Sequence, residues 1–128
     1  MAIRVVQLGS RRSKNEGVRI GTVRRPPRGV PKARFAEDDW YDVWLPILSP
    51  APETVKLGLS ASTPVEWRRF ERQFRREMNA ADASRTLDLL AALSHGSDFS
   101  VGCYCEDEAR CHRSVLRALL TERGADIL

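Results

Sequence analysis

All three cysteines of the chain and one of its two histidines fall within ten residues, Cys103-Tyr104-Cys105 and then Cys111-His112, followed directly by Arg113. Side chains of these types support three kinds of chemistry. Thiolates and an imidazole together bind a borderline metal ion. A thiolate beside a cation is a nucleophile. A helix that starts with histidine and arginine can hold an anion on its unpartnered backbone amides.

The spacing weighs differently on each. A zinc reading would use Cys103, Cys105, Cys111 and His112. Structural zinc sites set ligand pairs two to four residues apart, however, and adjacent Cys111 and His112 project about 100° apart on a helix. No metal is therefore expected, and the four-ligand site is the minority reading. For thiol or persulfide chemistry at Cys105 or Cys111, the run Cys105-Glu-Asp-Glu-Ala-Arg110 is similar in spacing to the sulfur-transferring loop of rhodaneses. That run has no glycine, and its three carboxylates raise a thiol's pKa and repel anions. The third reading places a loop at a strand's carboxyl end and a helix start in the ligand crevice of an α/β sheet. Buried cysteines then serve as packing. Arg113 would grip a phosphate or carboxylate, and Cys111 and His112 are the candidate catalytic residues, with His112 as acid or base.

Positioning these residues falls to a series of strands and helices. "IRVVQL" (3–8) and "VRIGTV" (18–23) are β-branched runs and predict strands, joined by a flexible polar loop, "GSRRSKNEG". "RRPPRGVPK" (24–32) follows as a stiff loop presenting arginines, since its prolines exclude regular structure. Trp40 and Trp44, four apart, suggest one helical turn ending before Pro46, and Pro50 and Pro52 an extended passage. The clearest helix begins at Thr63, with Pro64 at its first position and Glu66 completing a capping box. Its buried stripe is Trp67, Phe70, Phe74 and Met78. A second helix is expected from Asp82 as cap to Gly96. "DFSVGCY" (98–104) predicts a strand, and "HRSVLRALLTERG" (112–124) a final helix stopped by Gly124. The pattern defines an α/β fold, a single domain over 1–128 with a central sheet flanked by helices.

Composition sets the bounds. The chain has 128 residues, 42% hydrophobic and 30% charged, an ordinary globular balance. No stretch approaches the roughly 18 apolar residues of a membrane span, so no membrane partner is expected. An odd count of cysteines makes a poor disulfide framework and suits a reducing cytoplasm. The net charge of +4 conceals an asymmetry of +9 over residues 1–34 against −5 over the remainder. Such a split suits a phosphate-bearing partner, or attraction between two parts of one fold.

The order of "VRRPPRG", "LSPAPETVKL", "EWRRFERQFRREM" and "CHRSVLRALL" resembles the domain-of-unknown-function 488 (DUF488) family, including its YeaO-like branch, over about residues 3–122. The resemblance implies a compact α/β domain and marks Arg24, Pro27, Arg28, Gly29, Trp67, Phe70, Cys111, His112 and Arg113. It differs from the YeaO-like branch in having Val23 where an acidic residue precedes the arginine, and Cys-His where that branch often has Asn-His.

The residues therefore point to an anionic ligand, a nucleotide or nucleic-acid fragment. It would lie in a pocket between the Pro-Arg-Gly loop (Arg24, Arg28, Gly29) and the Cys-His-Arg helix start (Arg113). The alternative is a nucleic-acid or protein-interaction module without catalysis. No cofactor is specified by any of these motifs.

Overall fold

A computed structural model describes residues 1–128. The three segments expected as strands are strands. They form β1 (Ile3–Gln7), β2 (Val18–Gly21) and, with a two-residue β3 (Val43–Trp44) intervening in the chain, β4 (Phe99–Cys103). All pair in parallel, in the order β1-β4-β2-β3, with Ile3 and Val18 both level with Phe99. The cysteine-bearing strand is thus central, between the two N-terminal strands. Parallel pairing puts every strand's carboxyl end at one edge, where Gln7, Gly21 and Cys103 stand level or nearly so.

Strand alternation divides the sheet's two faces. Ile3, Ile20, Phe99 and Val101 join one apolar cluster with Phe70, Phe74, Leu87, Leu116 and Leu120 of the helices. Between them Arg19 and Ser100 face a different environment. Both bond the carboxylate of Glu16, Arg19 through Nε at 2.7 Å and Ser100 through Oγ at 2.7 Å. All three residues are buried. Arg19 Nη1 also donates to the carbonyls of Ser10 and Asp39, both at 2.8 Å. The loop expected to be flexible is therefore pinned. It must return the chain from the end of β1 to the start of a parallel β2, a crossover usually made by a helix, and a buried ion pair holds it instead.

The helices are α1 (Pro52–Ser60), α2 (Pro64–Met78), α3 (Ala81–Leu93) and α4 (His112–Glu122). In α2, Thr63 Oγ1 accepts from the Glu66 amide, and Phe70, Phe74 and Met78 are buried, as the capping box and stripe require. In α4, Val115, Leu116, Leu119 and Leu120 are buried, and Gly124 beyond its end takes φ +77°. The cap of α3 differs from expectation: Ala80 occupies it, and Asp82 lies in the first turn.

Two further expectations are corrected. No helical turn joins Trp40 to Trp44. The backbone groups of this segment go to β2 instead, Asp42 N–H to the Arg19 carbonyl at 2.8 Å and Leu45 N–H to that of Gly21 at 2.9 Å. Tyr41 packs its ring over Gly21, where a β-carbon would leave no room. The passage after Pro50 is not extended throughout, because Pro52 is the first residue of α1. Proline at that position loses no helical hydrogen bond, and Glu53 in the first turn suits the helix dipole.

Candidate functional site

The site lies at the carboxyl edge of β2 and β4. Cys111 is the N-cap of α4, but its side chain makes no capping hydrogen bond. Its Sγ is turned to Cys103 at the end of β4, and the two sulfurs are in bonding contact, as in a disulfide, with Cα atoms 7.9 Å apart. The expectation that these cysteines are unpaired packing is corrected accordingly. Both remain buried beside Leu8, Val23 and Tyr41.

His112 follows as the first residue of α4. Its Nε2 lies 2.7 Å from the Thr22 carbonyl and 3.3 Å from Thr22 Oγ1. A carbonyl can only accept, so Nε2 carries the proton and Nδ1 carries the lone pair. Nδ1 lies 3.8 Å from Cys111 Sγ. The edge of the Phe74 ring fixes the imidazole from the other side, with centroids 5.5 Å apart. Burial, aided by the Arg113 charge and only partly offset by the Thr22 hydrogen bond, lowers the His112 pKa to about 4. The ring is neutral at pH 7. The ligand atoms of Cys103, Cys111 and His112 all fall within 4.8 Å of one another, so these three could hold a metal ion.

Beside this cluster opens a cavity of about 410 Å³, lined by Val23, Arg24, Arg25, Pro50, Pro52, Val55, Lys56, Cys103, Tyr104, Cys105 and His112. That size is within the range of small-molecule sites. Its lining contains three cations and no carboxylate. Arg24 is held in place by Nε and Nη2, which donate to the Pro50 and Ser49 carbonyls at 3.1 Å each. Tyr104 donates its hydroxyl to the Arg25 carbonyl at 2.8 Å, tying the arginine loop to the end of β4, and burial raises its pKa.

The acidic run that argued against an anion lies elsewhere. Asp107 accepts from the Ala109 amide, and Glu108 pairs with Arg117 at 2.6 Å. Neither they nor the exposed Glu106 line the cavity.

The structure brings together Arg24, Cys103, Cys105 and His112 on the cavity wall, with Cys111 in contact with Cys103. It does not bring Arg28, Gly29 or Arg113 there. Arg28 and Gly29 are exposed further along the loop, and a β-carbon on Gly29 would meet nothing within 4 Å. Arg113 is buried, with Nη2 donating to the Cys105 carbonyl at 2.6 Å and Nε without a partner. It shapes the loop that carries Cys105. Cys105 lies beyond the end of β4 and is exposed, so it does not share a strand face with Cys103. Lys56, Arg25 and Thr22 had escaped sequence reasoning. Lys56 stands on α1, whose helix was not foreseen, and Thr22 acts through a backbone carbonyl that no residue type announces.

The chain is thus a four-stranded parallel α/β domain with a Cys-Cys-His cluster at the carboxyl edge of its sheet. A family model described as the active DUF488-N3 subclade matches residues 3–124, and the chain belongs to the DUF488 family. The description of the matching model names the N3 subclade and does not name the YeaO-like branch. No curated protein and no solved structure matches the chain.

Proposed function

We propose that the protein binds a small anionic ligand, of the size of a nucleotide, in the cavity between the Arg24-Arg25 segment and the start of α4, with the cysteine and histidine cluster as its reacting wall. One observation carries this reading: Arg24, Arg25 and Lys56 converge on one cavity without a carboxylate among its lining residues. The proline and valine surfaces of Val23, Pro50, Pro52 and Val55 offer an apolar bed for a ring. The three cations suit a phosphate or carboxylate. The position agrees with the general rule that open α/β sheets take ligands outside the carboxyl ends of their strands. His112, neutral and fixed in one tautomer, would act there as a base or ligand. The description of the matching subclade as active accords with a reacting site.

The test is calorimetric titration with nucleoside monophosphates, nucleoside diphosphates and pyrophosphate, on the parent and on Lys56→Ala and Arg28→Ala. A ligand held by the cavity should bind Lys56→Ala more weakly by about 1.5–3 kcal/mol, the usual worth of a hydrogen bond to a charged group. Arg28→Ala should bind as the parent does. Equal binding by the parent and Lys56→Ala would remove the assignment.

A further inference from the structure

Cys103 at the end of β4 and Cys111 and His112 at the start of α4 bring three ligand atoms within 4.8 Å of one another. Their geometry departs from that of a settled disulfide. Disulfides hold Cα atoms about 4.4–6.8 Å apart and cannot form beyond about 7 Å without backbone movement; here the separation is 7.9 Å. The sulfurs meet although the backbone stands wider than a settled bridge allows, so once reduced the two thiols can part while still facing a common point.

We propose that in the reduced protein Cys103 Sγ, Cys111 Sγ and His112 Nδ1 bind a zinc-like divalent ion, with the fourth coordination position open to the cavity. Three observations support it. First, Cys111 Sγ and His112 Nδ1 are 3.8 Å apart, close to the ~3.6 Å between sulfur and nitrogen on a tetrahedral zinc with bonds of about 2.3 and 2.0 Å. Second, His112 presents the correct nitrogen. Its Nε2–H donates to the Thr22 carbonyl at 2.7 Å, and a metal-binding histidine almost always donates its other ring N–H to a carbonyl or carboxylate. Third, Cys103 and His112 line the cavity, so an ion they share lies at its wall. An ion held by all three would have one side toward the opening.

Two thiolates and one imidazole favour zinc or a similar borderline ion over magnesium or calcium, which require oxygen ligands. Three protein ligands with an open fourth position are the pattern of catalytic rather than structural zinc. Such an ion polarises a bound water or an anionic oxygen of a ligand. The proposal goes beyond anion binding and does not depend on it, since the ion can be measured in the absence of any ligand. Cys105, exposed and two residues past Cys103, is left free.

The experiment uses cobalt(II) as a spectroscopic substitute for zinc, added without oxygen to the whole chain after reduction with a phosphine. One equivalent should bind, with thiolate-to-cobalt charge transfer and the strong visible bands of tetrahedral cobalt, and one equivalent of zinc should abolish both. Cys111→Ser and His112→Gln should each lower affinity at least tenfold, whereas Cys105→Ser should retain stoichiometry and charge transfer. Far-ultraviolet circular dichroism checks that each variant is folded. Should Cys111→Ser unfold, His112→Gln carries the test by losing one nitrogen ligand while keeping both sulfurs. Reduced protein with three titratable thiols and no charge-transfer band would overturn the proposal. So would a band that disappears in Cys105→Ser and persists in His112→Gln.

Discussion

Gly102 shows how closely single residues are constrained behind the site. It lies in the central strand, and a β-carbon there would stand 2.8 Å from both the Val6 carbonyl oxygen and Leu8 Cδ2. The backbone oxygen cannot move without disturbing β1. Gly102→Ala should therefore destabilise the protein by about 1–3 kcal/mol, the usual cost of overpacking a tight interior. Urea denaturation would read this as a lower midpoint with unchanged slope, and an unchanged midpoint would show that β1 gives way easily. Lys56 is the opposite case. It lines an open cavity, so its replacement should change binding and leave the unfolding free energy within about 0.5 kcal/mol of the parent.

At the scale of elements, the crossover between β1 and β2 depends on Glu16 and Arg19. Burial by itself would raise the Glu16 pKa. The hydrogen bonds from Arg19, Ser100 and the Ser13 amide, together with the Arg19 charge, outweigh burial and lower it from 4.5 to about 2. A depressed carboxylate pKa stabilises the fold above the unfolded value and loses that contribution as pH falls through the folded one. The pair should thus contribute on the order of 3 kcal/mol at neutral pH, lost progressively between about pH 4.5 and pH 2. Glu16→Gln leaves Arg19 buried and uncompensated, so it should cost about 3–5 kcal/mol at pH 7 and flatten the acid limb of stability against pH. An acid limb identical to the parent's would show that other carboxylates govern it.

The same pair shows why parts of the architecture were legible in sequence and others were not. β1, β2, β4, α2 and α4 carry their apolar pattern locally, in runs such as Val5-Val6 or in Phe70, Phe74 and Met78 at helical spacing. β3 is two residues long and has no period, and it exists because β2 offers a free edge. α1 buries little of its own besides Thr54, and it forms against α2 with Gly58 admitting the Phe70 ring. Glu16 reads as a loop charge and Arg19 as an ordinary strand residue, because nothing local says that Ser100, 84 residues beyond Glu16, completes their pocket. For the site, residue type pointed to Cys111, His112 and Arg24. The roles of Lys56, Thr22 and the Cys103–Cys111 approach arise only from long-range packing.

Across the whole molecule, the charge asymmetry is partly absorbed within the fold. Of the basic N-terminal residues, Arg12 pairs with Asp39 and Asp42, Arg19 with Glu16, and Arg34 with Asp38. The arginines of α2 are also shared out. Arg75 pairs with Glu122, and Arg69, Arg72 and Arg76 line a groove that also contains Glu53 and Glu77. A surface of mixed sign is poorly made for tracking a phosphate backbone. Binding of a single-stranded oligonucleotide should therefore be weak at 150 mM salt. Tight binding there, with a steep loss as salt rises, would favour the interaction-module alternative. A ligand enclosed by the cavity should show a shallow salt dependence instead.

An anion that enters the cavity at the carboxyl edge of β2 and β4 must perturb the amides around it, which chemical-shift mapping reads residue by residue. Isotopically labelled protein would be titrated with pyrophosphate, then with the tightest-binding nucleotide from calorimetry. Saturable shifts should concentrate at Arg24, Arg25, Val55, Lys56, Tyr104, Cys105 and His112, with Arg68 to Arg76 on α2 and the exposed Arg28 segment little changed. Shifts centred on the α2 arginines, with the cavity residues unmoved, would contradict binding in the cavity.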